Sequence, residues 1–171
     1  QARPNATIFS PLDLPAPNSI RNGAGAPGPD YWQQQVDYEI DVEIDVETRT
    51  VHATAEVTYT NNSPDNLDYL WLHLEQNIFR EDSLGNAVAD DASIGAEPEG
   101  DGYTIYGVKQ KSKELPFHVY DTMGLLELPK PVWGNGGKFR FEIEWSFVIP
   151  KNVFRRFGIR KYKKGTVIEI A

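Results

Sequence analysis

The sequence predicts an all-β fold, either an antiparallel two-sheet sandwich or one strongly curved, saddle-like sheet, preceded by a Pro/Gly-rich arm. Two stretches, 37–60 and 138–150, alternate apolar and polar side chains with a period of two residues, which is typical of strands with one buried face. Clusters of Asn, Pro, Asp and Gly between the apolar stretches indicate turns. No stretch of ten residues has the periodicity of an amphipathic helix.

Residues 1–30 form the predicted arm, and residues 31–171 form a single all-β domain. The arm holds six of the twelve prolines and closes with "NGAGAPGP", a composition that favours an extended linker. Four apolar side chains indicate that the arm docks on this domain or on a neighbour: Ile8, Phe9, Leu12 and Leu14.

Both ends of the chain suggest a piece of a longer protein. The chain starts at Gln1 rather than at methionine, which indicates either a removed signal peptide or a chain cut at this point. It stops at Ala171 within an apolar alternating stretch. We therefore expect a domain truncated from a longer protein that is periplasmic or secreted.

The first predicted element is a long hairpin that turns at "ETRT", residues 47–50. After the turn the alternation resumes, so threonines and His52 are expected opposite the acidic residues of the first strand. Shorter strands are predicted later in the chain, at residues 67–74, 103–111, 117–121, 124–129, 138–150 and 166–171. Residues 134–137, "GNGG", form a predicted turn, and the acidic, Gly-rich residues 81–102 form a predicted surface loop.

Six acidic side chains occupy every odd position of the first strand: Asp37, Glu39, Asp41, Glu43, Asp45 and Glu47. Carboxylates two residues apart on one strand lie roughly 6.6 Å apart at their bases. Calcium needs about six to eight oxygens within about 2.6 Å, which one straight strand does not supply. The row therefore predicts the solvated face of a strand rather than a metal site.

We assign no catalytic, cofactor-binding or metal-binding residue. His73, with Glu75 two residues further on, is the most ligand-like histidine, but no HExxH motif and no G-x-S-x-G elbow is present. The loop 81–102 lacks EF-hand spacing. With no cysteine, thiolate metal sites and disulfides are excluded.

Charge and hydropathy exclude two further classes of partner. A net charge of −8 argues against a nucleic-acid binder, even though residues 151–164 carry seven cations; we expect there a basic loop that pairs with an acidic neighbouring surface. No apolar run approaches the roughly 20 residues of a membrane span. Trp32 and Trp133 lie at loop edges and are candidates for stacking on a sugar or a partner domain, whereas Trp71 and Trp145 are predicted core residues.

Two motifs follow one another along the chain. The hairpin and the next strand fit Y-x-I-x-L-x-V-D…I-x-Y-x-N and L-x-L through Tyr38, Ile40, Val42, Ile44, Asp45, Val57, Tyr59, Asn61 or Asn62, Leu70, Leu72 and Leu74. A later segment fits L-x-L-x-x-P-L-x-x-G…V-x-W-x-Y-x-I-P through Leu126, Leu128, Pro131, Gly134, Ile143, Trp145, Phe147 and Pro150. Over residues 31–150 this order resembles the N-terminal β domain of the aminopeptidase N and leukotriene hydrolase (gluzincin) family of zinc metallopeptidases.

The resemblance implies a non-catalytic domain cut from a zinc aminopeptidase. In the family, HExxH, a downstream zinc-ligand glutamate and a G-x-M-E-N loop lie C-terminal to this β domain, and none of them occurs here. This chain alone would not be an enzyme, and zinc is expected only in the missing catalytic domain. That domain would be its partner, peptides would be the parent's substrates, and the β domain would wall the cleft.

The alternative is a stand-alone β-sandwich module that binds carbohydrate or calcium. A fragment would expose a large apolar patch where its catalytic domain docks. A binding module would instead show a compact aromatic or acidic pocket.

Overall fold

The computed structural model describes residues 16–88, 102–149, 158–162 and 164–169, and the chain divides into two compact units between Gln33 and Gln34. In the first unit, the side chains of Asn18 and Asn22 accept hydrogen bonds from backbone N–H groups two to four residues later. These are the turns that Asn favours. The apolar residues 8–14 of the predicted arm lie outside the described residues.

The second unit is built from antiparallel strands. Its described residues include a 3₁₀ helix at Glu75–Phe79 and a short helix, α1, at Leu84–Val88. The strands in the described part of the chain are β1 (Gln35–Asp45), β2 (Thr50–Asn61), β3 (Leu67–His73), β4 (Thr104–Gln110), β5 (Lys113–Glu114), β6 (Phe117–Tyr120), β7 (Met123–Val132), β8 (Gly137–Val148), β9 (Gly158–Tyr162) and β10 (Gly165–Glu169).

Two sheets pack on one core, and the all-β antiparallel prediction is confirmed. The larger sheet has the order β1-β2-β8-β4-β5, and the smaller has the order β3-β7-β6. The core takes side chains from both, among them Val57, Phe141 and Val108 from the larger sheet and Leu70 and Leu126 from the smaller. The arrangement is a sandwich. It is stabilised because the apolar side chains between the two sheets are removed from contact with water.

The predicted hairpin is confirmed in its register. Thr58, Thr54 and Thr50 lie opposite Asp37, Asp41 and Asp45, and His52 lies opposite Glu43. The exception is Glu56, which lies opposite Glu39 and forms an ion pair with Arg140 on β8.

The "GNGG" turn between β7 and β8 is also confirmed. Asn135 and Gly136 both have positive φ, 57° and 99°, the backbone that a tight hairpin turn requires and that Asn and Gly adopt most easily. Their N–H groups donate to the carbonyl oxygens of Ser63 and Asn61 at 2.8 and 2.7 Å. The turn is therefore tied to the loop between β2 and β3.

Asn61, at the end of β2, is fully buried and connects three segments. Its Nδ2 donates to the carbonyl oxygens of Asp65 and Val132 at 2.7 and 3.0 Å. Its Oδ1 accepts from Ser63 Oγ at 2.6 Å and from Gln34 Nε2 at 3.0 Å. Since β2 belongs to the larger sheet and β7 to the smaller, this amide links the two sheets at one end of the sandwich.

Two loop predictions need correction. Part of the basic stretch 151–164 is a strand, β9, whose backbone pairs with β10; the charge pattern concealed a hairpin because its β-ladder depends on backbone groups rather than on side-chain type. The acidic loop 81–102 begins with α1 instead of continuous loop. Residues 89–101, 150–157, 163 and 170–171 lie outside the described residues.

Candidate functional site

The apolar face of β1 is the largest departure from the expected half-buried strand. We define it by Tyr38, Ile40, Val42 and Ile44 of β1 and by Val46, which directly follows the strand. The exposed fractions of these five side chains lie between 40% and 64%. Four residues lie directly opposite on β2 and are buried: Val51, Ala53, Ala55 and Val57. The smaller sheet therefore covers the larger one as far as β2 and reaches β1 only at Val36, which packs against the core. From Tyr38 onward, no described residue buries the apolar face of β1.

A groove of about 430 Å³ adjoins this face. Tyr38 and Ile40 of the β1 apolar face line it, together with Trp145 of β8 and Leu72 of β3. The groove continues the cleft between the sheets towards the edge of the sandwich. The exposed face and the groove thus form one apolar surface.

His73, Glu75 and Tyr103 are among the polar side chains that also line the groove. The sequence placed His73 and Glu75 on one face of a strand. In the structure β3 ends at His73, and Glu75 begins the 3₁₀ helix. The two residues are therefore not on one strand, and strand alternation does not place them on a common face. Both residues are exposed.

Tyr103 is partly buried at the groove and packs edge-to-face on Phe147, with ring centroids 5.5 Å apart. Burial, and then the negative charge of Glu75, raises the pKa of the Tyr103 phenol above its ordinary value of 10.0. Both effects disfavour the phenolate. No pattern in the sequence marks this pair, because Glu75 and Tyr103 are far apart along the chain.

We expect deprotonation of Tyr103 to lower the free energy of unfolding in alkaline solution. Because the folded state holds this proton to higher pH than the unfolded chain, its contribution is complete below about pH 10 and is lost as the pH rises further. Urea unfolding of the parent and of Tyr103→Phe between about pH 8 and 11 should show a shallower decline in the variant. Equal slopes, after each protein is normalised to its stability at neutral pH, would contradict this assignment.

The acidic row follows β1 on the face opposite to the apolar one. Asp45 acts in the turn: its Oδ1 accepts from the N–H groups of Glu47 and Thr48 at 2.8 and 3.1 Å. The hydrogen bonds from Thr48 are the main cause that lowers its pKa. Within the part of the chain that the structure describes, no group of three or more His, Asp and Glu side chains could hold a metal ion.

The tryptophans do not all follow the sequence prediction. Trp145 packs against the core as expected, but Trp71 is 49% exposed, and the prediction that it lies in the core is wrong. Leu70 and Leu72 on the same strand point into the sandwich, so the period of two residues turns Trp71 outward. There it makes edge-to-face contacts with Tyr69 and Tyr120, at centroid distances of 6.4 and 6.0 Å.

The loop-edge tryptophans differ in exposure. Trp133 directly follows β7 and is 70% exposed, whereas Trp32, in the first unit, is partly buried. His118 is on the outer side of the smaller sheet, and its Nε2 lies 3.1 Å from Glu127 Oε1. These residues give no cluster with the geometry of an acid–base or nucleophilic centre in the described residues.

No protein-family model matches the sequence, and a search of curated proteins gives no relative. Among the described residues, no helix is long and apolar enough to cross a membrane.

Proposed function

We propose that this chain is the non-catalytic N-terminal β domain of a zinc aminopeptidase, and that the β1 apolar face and its groove pack on the catalytic domain of the same protein. The observation that carries the proposal is the row of five exposed apolar side chains, four on β1 and Val46 directly after it. Contiguous apolar surface of this kind marks interaction sites in soluble proteins. The order of motifs over residues 31–150 supports the identity of the partner.

The position of the face supports a docking role over a small-molecule site. The groove is open along β1, and its lining continues onto the exposed Val42 and Ile44 rather than closing into a pocket. A broad apolar surface fits another folded domain better than a small ligand, which is usually enclosed by its site. The opposite face of β1, with its carboxylates, remains in water.

In this proposal the chain performs no chemistry. The catalytic domain supplies the zinc and cleaves the peptide, and the β domain forms one wall of the cleft, so that only peptide N-termini enter. His73, Glu75 and Tyr103 would lie where this wall meets the cleft. The parent protein would act in the periplasm or outside the cell.

The experiment is to purify the complete product of the source gene and follow peptide cleavage by mass spectrometry. We expect stepwise release of N-terminal residues from free peptides, no cleavage of the same peptides with acetylated N-termini, and loss of activity on zinc removal. A complete product without zinc-dependent release of N-terminal residues would overturn the proposal.

Carbohydrate binding is a second candidate because of the aromatic cluster Tyr69, Trp71 and Tyr120. Exposed aromatic rings on a β scaffold can stack on sugar rings, and the His118–Glu127 pair adds polar groups to the same sheet. Affinity electrophoresis in gels containing soluble polysaccharides tests it. Binding should be lost in Trp71→Ala and kept in Trp133→Ala; no retardation of the parent protein in any gel would remove this candidate.

A further inference from the structure

The outer edge of β1 is unpaired in the part of the chain that the structure describes. β1 is the first strand in the order of its sheet, and its backbone pairs with β2 alone. Over its 11 residues, every second residue directs its N–H and C=O groups away from β2. A long edge of this kind is a template for a further strand.

The two faces of this edge specify the chemistry of an added strand. On one face a new strand would lie beside the carboxylates of Asp37, Glu39, Asp41, Glu43 and Asp45, and on the other beside the β1 apolar face. Of the five β2 residues opposite these carboxylates, three are threonines and one, opposite Glu43, is His52, so neither Lys nor Arg lies opposite the row. The fifth, Glu56, is itself an acid and is already paired with Arg140.

We propose that β1 receives an extended strand whose side chains alternate between Lys or Arg and aliphatic residues. Directly opposite side chains in a sheet lie about 5 Å apart, so cations would meet the acidic row while aliphatic side chains extend the apolar face. The β1 strand of a second copy does not fit this edge, because β1 carries no Lys or Arg to meet the acidic row.

This inference deepens the proposed function and rests on it: the strand belongs to the catalytic domain that covers the β1 apolar face. The acidic row thereby gains a role besides solubility, because it selects against acidic strands and against self-association. Charged edge residues commonly prevent aggregation, and here the same charges also define the permitted partner.

The test uses the full 171-residue chain and a fluorescent 11-residue peptide of alternating Lys and Val, followed by fluorescence anisotropy. A control peptide has the same composition with all lysines before all valines. A second control carries N-methyl groups at every second residue, which removes the hydrogen bonds of a strand. We expect the alternating peptide to bind at least about tenfold more tightly than either control.

Charge-reversal variants locate the site. Glu39→Lys with Asp41→Lys should weaken binding by about tenfold or more, whereas Asp65→Lys with Asp68→Lys, which changes the net charge equally on the exposed loop and on β3, should change it less than about twofold. Circular dichroism checks that both variants fold. Equal effects of the two pairs, equal binding of the block peptide, or no binding of the alternating peptide would each overturn the inference.

The outcome separates this inference from the proposed function. Peptide binding at β1 together with a gene product that lacks zinc-dependent activity would leave the strand site standing and reject the aminopeptidase assignment. An active zinc aminopeptidase whose β domain does not bind the alternating peptide would support the aminopeptidase assignment and reject the strand site.

Discussion

Replacing Asn61 with alanine is expected to lower the free energy of unfolding by about 3–5 kcal/mol. The substitution strips hydrogen bonds from the carbonyl oxygens of Asp65 and Val132 and from the N–H of Ser63. Asn61 has no exposed surface, so water does not replace these bonds without local opening. Each buried group left unsatisfied costs about 1–3 kcal/mol.

Urea unfolding monitored by tryptophan fluorescence gives the measurement for Asn61→Ala. The matched control is Asn66→Ala, because Asn66 is exposed and its Oδ1 accepts one backbone hydrogen bond, from Gly134 at 3.0 Å. That variant should lose no more than about 1.5 kcal/mol. Similar losses in the two variants would show that Asn61 does not link the sheets in solution.

The second large effect is expected on the β1 apolar face in the complete protein. Val42→Asp combined with Ile44→Asp should leave the stability of this chain within about 0.5 kcal/mol, since both side chains are exposed here. In the two-domain protein that we propose, the same change would bury two carboxylates in an apolar interface, at a cost of several kcal/mol in total. We therefore expect the β domain to separate from its partner.

Limited proteolysis of the complete product measures that separation. The paired aspartate variant should be cleaved between the two domains at least about tenfold faster than the parent protein, because the linker opens when the interface weakens by more than about 1.4 kcal/mol. The control is Leu84→Asp with Val119→Asp, two exposed apolar residues away from β1. Identical cleavage rates in the variant and control would exclude β1 as the docking surface.

The sequence predicts strands and turns correctly where residues close together in the chain determine them. The hairpin of β1 and β2, the "GNGG" turn and the strand at β8 follow from period-two alternation and turn residues. Which strands meet at long range is not encoded in periodicity. The pairing of β2 with β8, for example Val57 with Phe141, depends on the packing of the whole domain.

The candidate site was only partly predictable, because alternation identifies two faces of a strand but not what covers each one. Val42 and Ile44 have the pattern of half-buried residues, yet the smaller sheet stops short of them. The alternation also did not show which face Trp71 occupies, since both faces of β3 carry apolar side chains. In the structure, Leu70 and Leu72 lie on the inner face and Trp71 lies on the outer one. The sequence signal that could have marked β1 as an edge is its acidic row, because charged residues commonly protect free edges.

The position of β1 at a sheet edge also explains why its two faces have such different chemistry. An interior strand has a neighbouring strand on each side, and both neighbours help to bury its apolar residues. Carboxylates on an interior strand would also lie close to acidic side chains on the second neighbouring strand. Glu56 and Glu142, which lie side by side on β2 and β8, are close to two cations, Arg140 and Lys109. Opposite the acids of β1 the described residues hold neither Lys nor Arg, and His52, opposite Glu43, is the one basic side chain among them.

The most direct test of the central claim is to determine the reading frame of the source gene beyond the codon for Ala171. We predict that it continues into a domain with HExxH and a glutamate about twenty residues further on, the ligand set of a catalytic zinc. A stop codon at that point, or an unrelated domain, would contradict the assignment of this chain as the β-domain wall of a zinc aminopeptidase.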